Sequence, residues 1–146
     1  MENIERKFNL TEQIRNIREA RRELRQALKK EKACCTPMLT DYKLVPKLYG
    51  MYCELMGNLS DSDTDGRRIF IFIVQYFYAP RNLFGFKMKS GLRRVLADVL
   101  GVKAVSIVSK GASETGPRYL AYHEFRERVN SIFEQMTARM QDEGII

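Results

Sequence analysis

The stretch SGLRRVLADVLGVKAVSIVSKG, residues 90–111, decides the fold. Ser90 is suited to start a helix, and Ala97 is small enough to let a second helix approach at a steep angle. Gly101, four residues on, takes the positive φ that ends a helix without a Cβ clash. Apolar Val102 follows the turn and branched Ile107 anchors what comes next. The expectation is helix, tight turn, helix, with Leu96, Leu100, Val105 and Ile107 or Val108 buried between the two. The second helix then turns Lys103, Ser106, Ser109 and Lys110 outward.

The flanks also read as helices. Arg67–Ala79 is apolar enough for a strand or a buried helix. Its alternation is poor, while Ile69, Phe72, Ile73, Tyr76 and Phe77 make a broad helical face and Pro80 stops it. A core helix is predicted there, followed by a loop, Arg81–Lys89, that alternates aromatic and basic residues. Gly111–Pro117 reads as a hinge or loop. From Tyr119 to Met140 an amphipathic helix sets Tyr122, Phe125, Val129, Ile132, Phe133, Met136 and Met140 on one side. Upstream, Leu44, Leu48, Tyr52 and Leu55 or Met56 recur at helical turns between Lys43 or Pro46 and Leu59.

At the N-terminus Leu10, Ile14, Ile17, Leu24 and Leu28 fall on a heptad stripe, with Arg21 in the missing position. Asn9 or Thr11 caps this long charged helix, Thr11 being preferred, and Pro37 marks its end. The stripe suits a partner helix, a second copy in a homodimer through the N-terminal helix, or this protein's own core. The chain is thus read as all-α: residues 1–36 form a charged amphipathic arm, and residues 37–146 a small helical bundle with its helix-turn-helix at 90–111.

Several chemistries are disfavoured by composition. The longest apolar run, Ile69–Val74, is far below the roughly 18 to 20 residues of a membrane span, so no membrane association is expected. No leader is visible, and three cysteines, two of them adjacent (Cys34, Cys35, Cys53), suit a reducing cytoplasm. One histidine, His123, and no Cys-x-x-Cys spacing leave no zinc set. Asp61, Asp63 and Asp65 resemble the front of a calcium loop, with Gly66 at the sixth position. The twelfth residue is Phe72 rather than glutamate, and the segment reads as a polar linker or cap. No phosphate-binding Gly-x-x-x-x-Gly-Lys-Ser/Thr segment, cysteine–base pair or clustered acids point to an enzyme. Neither cofactor nor metal is expected, and Asp98 is best explained by Arg94 at i,i+4.

Charge points to a polyanion. The chain carries +7, yet residues 67–110 hold nine basic side chains against one acid, Asp98. Residues 90–111 resemble the helix-turn-helix of transcription regulators and replication initiators, on Ala97, Gly101, Val102 and Ile107. Over about 67–140 the arrangement resembles the DNA-binding C-terminal domain of DnaA-type initiators, although their Asp-His-Thr-Thr signature has no counterpart. It is also similar to basic helical proteins of bacterial mobile elements. The resemblance implies a regulator of transcription or of a mobile element that binds double-stranded DNA. Arg81, Lys87, Lys89, Arg93 and Arg94 would hold phosphates, and Lys103, Ser106, Ser109 and Lys110 would enter the major groove. The second helix lacks Arg, Asn and Gln for bidentate base reading. The alternative is a helical interaction or assembly module with a basic surface, which would bury that helix and expose an apolar patch instead.

Overall fold

The computed structural model describes residues 9–57 and 64–146, and the chain divides into two compact units, Met1–Cys35 and Thr36–Ile146. Among the described residues the secondary structure is entirely helical.

Among the described residues of the first unit there is one helix, α1, Leu10–Cys34. Its 25 residues contain neither glycine nor proline, so nothing interrupts the backbone ladder. Asn9 stands at the N-cap position but its side chain caps nothing, and Thr11 lies inside the helix, so neither expected cap forms. No residue of α1 is buried, and the stripe leucines and isoleucines are each about half exposed.

The second unit is built around a helix that is apolar on nearly every side. The Asp41 carboxylate accepts the Lys43 backbone N–H at 3.0 Å and starts a 3₁₀ turn, Tyr42–Leu44, that runs into α2, Val45–Met56. α2 ends at Met56, short of the predicted Leu59, because Gly57 takes a positive φ of 79°; residues 58 and 59 and the linker aspartates 61 and 63 lie outside the described residues. The next helix, α3, is Thr64–Tyr78; it takes in Asp65 and Gly66, whose carbonyl accepts the Tyr52 hydroxyl. Ile69, Phe70, Ile73, Val74 and Phe77 are all but inaccessible, and Phe72, at the position of the missing calcium ligand, is buried too. A helix apolar around its girth is stable only when enclosed, and α3 packs against α2, the turn after it and both helices of the C-terminal third. Tyr76 departs from the predicted core face: it is 41% exposed, with its ring edge-on to Phe77 and Phe133. The apolar run is wider than one face, and its outward position falls on Tyr76, whereas Tyr78, which also carries a hydroxyl, is 4% exposed and bonds the Asp41 carbonyl.

Pro80 ends α3 by keeping Ala79 out of the helical region (φ −151°, ψ 64°), and a short 3₁₀ turn, Pro80–Phe84, closes on Gly85 at φ 103°. Then come α4, Ser90–Leu100, α5, Val105–Ala121, and α6, His123–Asp142. Two boundaries differ from the sequence reading. Residues 111–117 are not a loop: α5 runs through them with Pro117 inside it. The glycines there serve close packing rather than a turn, because a Cβ on Gly116 would sit 2.9 Å from the Leu83 carbonyl oxygen and one on Gly111 3.0 Å from Ile71 Cδ1. Nor is Tyr119–Met140 continuous, since Tyr122 is extended (φ −112°, ψ 112°) and separates α5 from α6. Tyr122 is consequently 58% exposed instead of lining the core with Phe125, Val129, Ile132, Met136 and Met140.

Candidate nucleic-acid interface

The α4–α5 hairpin is closed by backbone geometry. Gly101 adopts φ 68°, ψ 24°; its N–H reaches the Asp98 carbonyl at 3.3 Å and the Val102 N–H the Ala97 carbonyl at 3.1 Å. This pair of bonds, six residues spanning one and four the other, satisfies the carbonyls left open at a helix end. Ala97 is buried as the close approach requires, and Leu96 and Val108 are fully buried between the elements. Leu100 and Val105, expected there too, are only half-buried, and Ile107 is 46% exposed, with Val108 taking the anchoring place. The turn brings α5 in one residue out of phase with the expected anchor, and the buried stripe of α5 becomes Val108, Gly111, Ala112 and Thr115. Ser90 is also displaced: it is the first helical residue, while Lys89 holds the N-cap position with no side-chain cap.

Two crosslinks fix α5 in place. Gln75 of α3 donates from Nε2 to Thr115 Oγ1 at 2.9 Å, and Thr115 donates on to the Ala112 carbonyl at 3.0 Å. Arg68, at the start of α3, pairs with Glu114 at 2.9 Å and with Asp65 at 3.1 Å. The solvent side of α5 is left to Ser106, Ile107, Lys110 and Ser113, with Lys103 exposed in the turn before it.

The nine candidate contact residues divide by environment. Arg81, Lys87, Lys89, Arg94, Lys103, Ser106 and Lys110 are exposed. The Arg81 guanidinium lies over the Phe86 ring, 4.4 Å from its centroid, which stiffens the loop ahead of α4. Arg93 and Ser109 are half-buried and committed to each other, Arg93 Nη1 donating to Ser109 Oγ at 3.2 Å across the hairpin. Ser109 in turn donates to the Val105 carbonyl at 3.4 Å, while Arg93 Nε is enclosed without an acceptor. No Arg94–Asp98 ion pair occurs among the described residues.

An open cleft flanks α5 on each side. The larger, about 880 Å³, brings Lys87, Arg93 and Ser109 together with Phe84, Phe86 and Leu120. The smaller, about 330 Å³, brings Lys110 beside Arg67 and Arg68 at the start of α3. Arg67 was not among the expected contacts, because it reads from sequence only as the lead-in to a core helix. Its place beside Lys110 depends on how α3 and α5 cross. No group of three or more His, Cys, Asp or Glu side chains among the described residues is placed to hold a metal. No helix among them is long and apolar enough to cross a membrane.

Comparison of the chain with protein-family models, curated proteins and solved structures returned no match. The functional reading therefore rests on the site.

Proposed function

We propose that the chain is a cytoplasmic double-stranded DNA-binding protein, a regulator of transcription or of a mobile element, whose α4–α5 hairpin acts as a helix-turn-helix within a small helical bundle. The carrying observation is that Lys103, in the turn before α5, and Ser106 and Lys110, on its first turns, stand exposed instead of being packed away. In this reading α5 enters the major groove, and Arg81, Lys87, Lys89 and Arg94 hold phosphates on either side. Arg93 and Ser109 have a different part: bonded to each other, they fix the angle between the two helices. The face of α5 offers lysine and serine rather than bidentate base readers, so backbone contacts and groove shape carry most of the affinity. The α1 arm, with its exposed apolar stripe, is the protein-contact element, for a second copy or for another helix.

The assembly-module alternative has one observation in its favour. Phe84, Phe86, Ile107 and Leu120 are exposed apolar side chains on or near α5. Fluorescence anisotropy of the full chain on duplex DNA, single-stranded DNA and duplex RNA across a salt series separates the two. Duplex binding should fall steeply with salt. Replacing Lys103, Ser106 and Lys110 by alanine should weaken it and reduce the slope of log affinity on log salt by about 2, one for each of the two lysine charges withdrawn from the phosphates. No binding to any of the three at low salt, or an alanine variant that binds as the parent does, would sink the DNA reading.

A further inference from the structure

The α1 stripe is narrow: Leu10, Ile14, Ile17, Leu24 and Leu28 are apolar at the two seam positions of successive heptads. Two seam positions in seven make the contact line of a coiled coil, whereas a membrane-surface helix needs a much wider apolar face. Arg21 stands in the middle of this line, where a bilayer would have to accept a guanidinium, which argues further against a lipid partner. All five stripe side chains are exposed.

The charges beside the seam say which helix fits. With Ile14 at a and Ile17 at d, the e positions are Thr11, Arg18, Arg25 and Lys32, basic from the second heptad on, and the g positions are Gln13, Ala20, Ala27 and Cys34, none of them acidic. A parallel pair of identical helices sets e against g of the partner, here Arg18 against Gln13, Arg25 against Ala20 and Lys32 against Ala27, with no attraction anywhere. It also stacks Arg21 on Arg21 in the core. An antiparallel pair sets e against e, base against base along one flank of the seam, and g against g along the other, where no acid stands. Of the acids of α1, Glu12, Glu19 and Glu23 fall on c and f, the face away from the seam, and Glu31 stands at the last d position of the seam itself. None of the ion pairs among the described residues involves α1, so its cations are not neutralised within the helix.

We propose that α1 is a docking helix for a different protein, whose contact segment is an acidic amphipathic helix with glutamate or aspartate flanking its own apolar seam and an acid opposite Arg21. Either orientation satisfies the three e-position cations. A second copy of this chain does not. Docking through α1 is independent of DNA binding by the hairpin.

The test uses the full chain and two synthetic peptides of about four heptads, both with leucine at a and d. One has glutamate at e and g with a single glutamate at a, and the other has lysine at those places. The glutamate peptide should bind at least ~10-fold more tightly, the sum of several flanking ion pairs of a few tenths of a kcal/mol each and the buried Arg21 contact. Binding should be lost in Ile17→Asp/Leu24→Asp, and Arg18→Glu/Arg25→Glu should reverse the preference between peptides. These positions are exposed, so the variants keep their helix, which circular dichroism verifies. Equal binding of the two peptides, or binding of neither, overturns the proposal. Self-association of the chain that vanishes in Ile17→Asp/Leu24→Asp would make the seam homotypic and also overturn it. Binding to phosphatidylglycerol vesicles that depends on the same two residues, without peptide binding, would do so in favour of a lipid surface.

Discussion

Single glycines in α5 show how one atom decides local structure. Gly111 and Gly116 lie in the same helix and look alike in sequence, yet they face different neighbours. A methyl on Gly111 meets the end of the Ile71 side chain, which has room to turn, whereas one on Gly116 meets the backbone oxygen of Leu83, which does not move without the whole 3₁₀ turn. Alanine gains about 1 kcal/mol over glycine inside a helix, and overpacking costs about 1–3 kcal/mol. Gly111→Ala, whose neighbour yields, is therefore expected to be neutral or up to about 1 kcal/mol more stable than the parent in urea denaturation, and Gly116→Ala, at the upper end of the overpacking cost less the helix gain, destabilised by about 2 kcal/mol. Equal effects at the two positions would contradict the close approach of the Pro80–Phe84 turn to α5. At Gly101, where φ is 68°, the demand is conformational instead, with no neighbour within 4 Å of a Cβ.

Between elements, the contact that most defines the placement of α5 is polar and buried. Gln75 and Thr115 are both inaccessible, and Gln75 Oε1 already lacks a partner. Thr115→Val would leave Gln75 Nε2 unpaired as well, at an expected cost of about 1–3 kcal/mol. Replacing both, Gln75→Leu with Thr115→Val, removes the polar groups together and should recover most of that loss. Thermal denaturation of the two single variants and the double variant measures the coupling, and additive losses would mean that the bond contributes nothing. The same register question separates what α5 discloses in sequence from what it hides. Ala97 and Gly101 announce a hairpin through size and backbone freedom. That Pro117 sits inside a helix, and that Ile107 faces solvent, follows only from the way α5 lies across α3.

At the scale of the second unit, burial makes an alkaline limit to stability. Tyr78 donates its hydroxyl to the Asp41 carbonyl at 2.7 Å. Burial above all, then the nearby Asp41 carboxylate and Tyr42, pushes its phenol up to about 12. Tyr49 is also raised, by burial first and by its bond with Cys53. A phenol held protonated in the folded state contributes stability that is fully present below the ordinary value of 10 and is lost as pH rises toward 12. Stability by urea denaturation should accordingly decline over that window, and Tyr78→Phe should flatten the decline while lowering the value near neutrality through removal of the hydrogen bond. An unchanged slope in Tyr78→Phe would assign the alkaline loss elsewhere. The all-helical class, the enclosed α3, the heptad arm and the concentration of positive charge at 67–110 were all determined by sequence, because each depends on residue type at a fixed spacing along one helix. The tertiary structure alone decided where a helix ends when proline does not end it, which aromatic reaches water, and which cations share a surface. Those outcomes depend on neighbours distant in the chain: Leu83 makes Gly116 a packing glycine, the break at Tyr122 removes that ring from the core, and the crossing of α3 and α5 sets Arg67 beside Lys110.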